Sequence, residues 1–254
     1  MKRSIYLAVL AVLTCVCILV GLIVHTGWNL NEQSFQLSTD DTKISEAKKV
    51  SPFSNIQLEA GTMDVSIKEG DDYQIAYTTP KDRKPEYSVK NNTLTVKQDS
   101  HHFFSVLNFG FHASNKVIIT VPKDTSLDNV DLTNNVGDVL LDKINTKAFS
   151  CSMDTGDVTV RDSTLGKTNI ESDTGDISLN SVALKDTDLS TDTGDIDVSC
   201  NGDKKDYKLD LSTDVGDVAV DKKEYSHNFN YDTDGIYEIK SDSDVGDVNV
   251  SFYK

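Results

Sequence analysis

The chain has 254 residues, with 41 Asp and Glu against 25 Lys and Arg and a formal charge of −16. So acidic a surface excludes recognition of a phosphate backbone, which needs a basic footprint. The length suffices for one long domain or two short ones.

The first segment differs in kind from the rest. Lys2 and Arg3 precede Ser4 to Val24, a run of 21 residues without a charge. As a helix this run spans a hydrocarbon core of roughly 30 Å. Lys2 and Arg3 keep the N-terminus cytoplasmic, and Trp28 falls near the outer interface. A cleaved signal peptide would have a shorter apolar run and a small-x-small site, which Val24-His25-Thr26-Gly27-Trp28 does not provide. A lipid-modified cysteine belongs at the end of such a run, whereas Cys15 and Cys17 lie inside it. Residues 1–28 are therefore predicted to be a cytoplasmic stub and a single-pass signal-anchor helix, with everything after them extracytoplasmic. Residues 29–50 are polar, lack a sustained pattern, and read as a spacer.

Residues 51–121 alternate in strand fashion through Ile56 and Leu58, Val65 and Ile67, then Tyr73, Ile75 and Tyr77. "YSVKNNTLTVKQ" (87–98) reads as two strands joined at Asn91-Asn92, which tolerate left-handed turns. Between strands stands "HHFFSVLNFGFHAS" (101–114). Its Phe103, Phe104, Leu107, Phe109 and Phe111 read either as a hairpin or flap over the open end of the stacked strands or as an exposed aromatic patch that docks a partner or the outer leaflet.

From residue 122 onward the chain repeats. Gly-Asp pairs have their glycines at 137, 156, 175, 194, 216 and 246, giving spacings of 19, 19, 19, 22 and 30. Two residues after the glycine stand Val139, Val158, Ile177, Ile196, Val218 and Val248. Four after it stand Leu141, Val160, Leu179, Val198, Val220 and Val250. Five before it stand Leu132, Cys151, Ile170, Leu189, Leu211 and Ser241. Polar residues separate these columns, which is strand alternation of period two. One 19-residue coil cannot bury its inward face alone, but stacked coils can. The pattern predicts a single-stranded, β-helix-like all-β solenoid with coils of about 19 residues over 122–254. The longer last intervals read as insertions near the C-terminal end, with Asp232 to Ile239 as a candidate extra strand. Cys151 and Cys200 should be too far apart to bridge.

Each corner except the first, where Asn135 stands two residues before Gly137, is acidic on both sides. The glycine permits a positive φ, and the Asp two residues before it can fold onto backbone N–H groups as an Asx-turn. Stacked Asp columns bring like charges near 4.8 Å, a repulsion of about 0.9 kcal/mol per pair in water. A shared divalent cation such as Ca²⁺ would relieve it, with Asp154, Asp157, Asp173, Asp176, Asp192, Asp195, Asp214 and Asp217 as candidate ligands. The "GGxGxD" motif of calcium-binding β-rolls is absent. A polysaccharide-cleaving enzyme would need one carboxylate pair in a cleft, yet these carboxylates recur in every coil. The five histidines show no metal spacing and no G-x-S-x-G elbow occurs. The expectation is a non-enzyme without a required cofactor.

"KVIITVPKDTSLDNVDLTNNVGDVLL" followed by "CSMDTGDVTV", "ESDTGDISL" and "STDTGDIDV" resembles the bacterial putative-adhesin domain family, of unknown function and with β-solenoid repeats. With one membrane helix and this domain outside, the chain is similar to LiaG-like members found with envelope-stress systems of Gram-positive bacteria. The resemblance covers roughly residues 50–254 and implies no catalytic residues. It implies a binding or structural module of the cell envelope, linked to envelope stress or adhesion. The partners to expect are an envelope protein, a cationic peptide or a cell-wall component, with a divalent-cation sensor as the alternative.

Overall fold

A computed structural model describes residues 43–98 and 115–253. Apart from two short 3₁₀ turns, Lys81–Arg83 and Lys204–Asp206, the ordered elements among them are strands in two eleven-stranded sheets. Each coil gives one strand to each sheet. Thr164–Thr174 runs along one, turns at Gly175, and continues as Ile177–Val182 in the other.

Parallel pairing sets like residues on like. Val139 pairs Val158, Val158 pairs Ile177, and Ile177 pairs Ile196. Leu132, Cys151, Ile170 and Leu189 form the facing column. Every member of the three predicted apolar columns is at most 2% exposed, so the two sheets close over one continuous core. Cys151 and Cys200 are both free and buried. Burial away from water pushes the Cys151 thiol up to about 12.

Two further coils precede the Gly-Asp repeats. Asn55–Thr62 and Asp64–Gly70 pair with the first of them, Leu58 on Leu132 and Val65 on Val139. Met63 takes the place of the corner glycine. Beyond this coil lies another, Thr93–Lys97 with Lys116–Pro122, whose Val96 pairs Leu58 and whose Val117 pairs Val65. Its corner is where residues 99–114 are inserted. The chain leaves at Gln98 and returns at Asn115, and the Gln98 Nε2 donates to Asn115 Oδ1 at 3.1 Å.

Antiparallel strands finish this end. Gln74–Pro80 pairs Lys116–Pro122, Lys43–Lys49 pairs Gln74–Pro80, and Glu86–Lys90 pairs Thr93–Lys97. The last pair turns through Asn91 and Asn92, both with positive φ as predicted. Tyr77 from one sheet meets Tyr87 from the other edge-on, ring centres 6.3 Å apart. Lys43–Lys49 was expected to be spacer. Its polar sequence hides an edge strand in which Ile44 and Glu46 turn inward, and Glu46 accepts hydrogen bonds from the Tyr77 hydroxyl and from Lys84. Those donors hold the Glu46 carboxyl below the usual range. The predicted anchor helix lies outside the described residues, among which no helix is long and apolar enough to cross a membrane.

At the other end the coils depart from chain order. The Gly194 coil is followed in space by the Gly246 coil and only then by the Gly216 coil, in both sheets. The last two coils are therefore stacked out of chain order. The predicted extra strand at Asp232 to Ile239 does not form: residues 232–236 are a loop, and Tyr237 to Ile239 open Tyr237–Val245, the regular long strand of that inserted coil. Residues between the two coils form Lys223–Tyr225 and Asn228–Tyr231, which pair antiparallel with the outermost strands.

Ser241 stands in a column otherwise filled by Leu, Ile and Cys, and its buried hydroxyl has no partner. Ser241→Ala should therefore stabilise the fold by about 1 kcal/mol. A urea midpoint that falls rather than rises would contradict this.

Candidate functional site

The turn at each corner removes two backbone groups from the ladder. At the Gly156 corner, the glycine N–H donates to Thr174 O at 2.9 Å and the Val158 N–H to Asp176 O at 2.9 Å, so these two stay in the ladder. The N–H of the residue after each glycine and the glycine C=O point the other way, toward the preceding coil and the following one. Side chains satisfy the N–H at every Gly-Asp corner and, from the neighbouring coil, the C=O at three of them.

The N–H is taken by a carboxylate. Asp138 N–H donates to Asp64 Oδ1 at 3.2 Å, Asp157 to Asp138 at 3.1 Å, Asp176 to Asp157 at 2.9 Å and Asp195 to Asp176 at 2.9 Å. The series continues through the reordered coils, Asp247 to Asp195 at 2.8 Å and Asp217 to Asp247 at 2.9 Å. The glycine C=O is taken by the side chain three residues before the next corner. Thr191 Oγ1 donates to Gly175 O at 3.2 Å, Ser243 Oγ to Gly194 O at 3.0 Å, and Thr213 Oγ1 to Gly246 O at 2.7 Å. Asn134 Nδ2 does the same for Met63 O at 2.8 Å. Ser172 occupies the same column without a partner for its buried Oγ.

Close stacking explains the glycine. Gly175 has φ 141°, and a Cβ there would lie 2.0 Å from Gly156 O. No rotamer relieves a clash with backbone. At the Met63 corner, outside the positive-φ set, a side chain is accepted and fills the core instead.

These bonds divide the paired aspartates into two kinds. The residue after the glycine holds the backbone, which makes Asp157, Asp176 and Asp195 scaffold, while Asp217, last in the stack, gives its N–H to Asp247 and its carboxylate receives no amide. The Asx-turn expected from the residue two before the glycine does not form. Asp154, Asp173, Asp192, Asp244 and Asp214, in stacking order, are exposed and make no hydrogen bond or ion pair with the described residues. Between the two acidic columns runs an exposed β-branched row of Val136, Thr155, Thr174, Thr193, Val245 and Val215. The corner edge is thus a flat strip of three columns at the coil spacing of about 4.8 Å. Among the described residues no group of three or more His, Cys, Asp or Glu side chains is placed to hold a metal ion.

An open groove of about 330 Å³ borders the strip at its N-terminal end, lined by Asp64, Ser66, Lys116, Leu140, Asp157 and Arg161 among others. Sequence reasoning missed it, because Lys116 and Arg161 are separated by 45 positions and meet only through the pairing of coils. The aromatic candidates Phe103, Phe104, Leu107, Phe109 and Phe111 lie outside the described residues. Their flanking Gln98 and Asn115 place the insertion at the corner of the coil next to Met63.

The family model for Toastrack DUF4097 matches residues 53–252. No curated protein matches the chain. Among solved structures, a putative cell adhesion protein from Clostridium sporogenes is similar at 16% identity with a TM-score of 0.51, covering 83% of this chain and 100% of its own. A putative adhesin from Bacteroides fragilis is similar at 20% identity and TM-score 0.45, covering 83% and 97%. The first of these likenesses shows the same fold.

Two outcomes check the division of labour. Asp176→Ala strands the Asp195 N–H and should cost about 1–3 kcal/mol, while Asp173→Ala, three positions earlier, should stay within about 0.5 kcal/mol; equal losses in urea melts would contradict it. A thermal melt should show no larger rise in millimolar Ca²⁺ than in matched Mg²⁺. A Ca²⁺-specific rise of several degrees would instead make the strip a cation site.

Proposed function

This chain belongs to the Toastrack DUF4097 family, and from that premise we propose that it is a membrane-anchored, extracytoplasmic binding module of the cell envelope. It acts without catalysis and holds a basic partner, such as a cationic peptide or a cationic envelope protein, along the corner strip. The observation that carries this reading is the row Asp154, Asp173, Asp192, Asp244 and Asp214, five exposed carboxylates without partners on consecutive coils.

The physical argument is one of preorganisation. Side chains already held at fixed spacing by a rigid sheet edge lose little freedom when a partner arrives. The charge of −16 adds long-range attraction for cations that salt weakens. The β-branched row between the acidic columns offers apolar contact of the kind that excludes water around charge pairs.

The anchoring rests on Lys2, Arg3 and the 21 uncharged residues after them. The link to envelope stress or adhesion rests on family resemblance. Protease shaving of whole cells should remove the domain, and protection of the domain would refute the topology.

The binding reading has its own check. The triple variant Asp154→Asn, Asp173→Asn, Asp192→Asn should weaken capture of an oligolysine peptide at least tenfold, with a shallower salt dependence, while leaving the melt unchanged. Unaltered affinity in the triple variant would overturn it.

A further inference from the structure

The last coil of the chain fills a slot that earlier residues leave open. After Asn201 the chain crosses through residues 202–206 and builds Tyr207–Val215 and Val218–Val220 one place too far along the stack. It caps them with Lys223–Tyr225 and Asn228–Tyr231. Only then does it return through residues 232–236, placing Tyr237–Val245 and Val248–Tyr253 between the Gly194 and Gly216 coils.

The inserted coil is bonded on both faces. Gly194 N–H donates to Val245 O and Ile196 N–H to Asp247 O, while Gly246 N–H donates to Val215 O and Val248 N–H to Asp217 O, all at 2.9–3.0 Å. Both columns of corner side chains also run through it, Asp247 linking Asp195 to Asp217, and Ser243 reaching Gly194 O. Ile239, Val248 and Val250 complete the core there. Main-chain bonds on two edges with alternating side chains in a prepared core are the terms of strand-addition recognition. This segment is joined to the preceding coil through residues 232–236, where Ile236 is 75% exposed.

We propose that Tyr237–Tyr253 is an exchangeable coil through which two copies of this chain join by reciprocal insertion. The slot makes the same contacts with a partner's coil as with its own, so the hinge and the concentration decide which it takes. In the closed form the hinge must carry the chain from Tyr231, paired with Leu209, to Tyr237, paired with Tyr207 on the opposite side of the same strand. Two strand spacings and two residues of rise put these ends about 12 Å apart.

Deleting residues 232–236 leaves one peptide unit of about 3.8 Å to cover that distance. The variant should then be a dimer in light scattering, with strand content and melting midpoint near those of the parent. A monomer melting like the parent would overturn the proposal. If the variant does not fold, the full chain with a protease site placed in residues 232–236 decides. After cleavage of the folded protein and a brief exposure to urea just below its midpoint, a fluorescent peptide of residues 237–254 should replace the resident segment, and a scrambled peptide should not. Failure of the labelled peptide to enter would overturn the proposal.

Discussion

The fold depends on how a tight corner keeps its hydrogen bonds. A β-solenoid pairs every strand with the coils on either side, but a turn rotates some backbone groups out of that pairing. Unpaired, each would cost on the order of 1–3 kcal/mol where water is excluded. Here an aspartate after the glycine, and in three coils a hydroxyl three residues before it, reach the neighbouring coils and bond those groups. The acidity of the repeat is in this respect a solution to a backbone problem. It also carries a penalty, because carboxylates are stacked on carboxylates. A charge-assisted bond from each N–H offsets the repulsion for one column. The other column has no such bond and points outward.

That asymmetry separates scaffold from surface. Two aspartates in one "DTGD" phrase look equivalent, yet Asp176 is tied to Asp195 N–H while Asp173 stands free. The repeat geometry then turns a local choice into an extended one. Whatever one coil presents, the next presents again at nearly the same spacing and orientation, with the β-branched row between. A surface built this way suits a partner that is itself extended and basic.

Much of this was legible in the sequence. Val139, Leu141 and Leu132 named the columns, and their counterparts in every coil are buried. The glycine spacing named the corners. The role of each aspartate was not legible, because it depends on which coil a side chain reaches, and that direction is set by the rotation of the turn. The coil containing Met63 escaped notice because the glycine marks the repeat and methionine replaces it, although Ile56, Leu58, Val65 and Ile67 were already recognised as strand positions. The reordering of the last coils left its trace only as intervals of 22 and 30 residues. An interval says that residues are added, and it does not say that the chain overshoots and returns.

The central claim is that the side chain after each glycine but the last in the stack receives the next coil's amide, and amide hydrogen exchange tests it most directly. The N–H groups of Asp176, Asp195 and Asp247 belong to exposed residues on an exposed edge. The account predicts that they exchange as slowly as the ladder amides beside them, such as those of Gly175 and Ile177. Exchange as fast as that of the open loop at Ile236 would contradict it, and would return the acidic corner to the status of an unsupported turn.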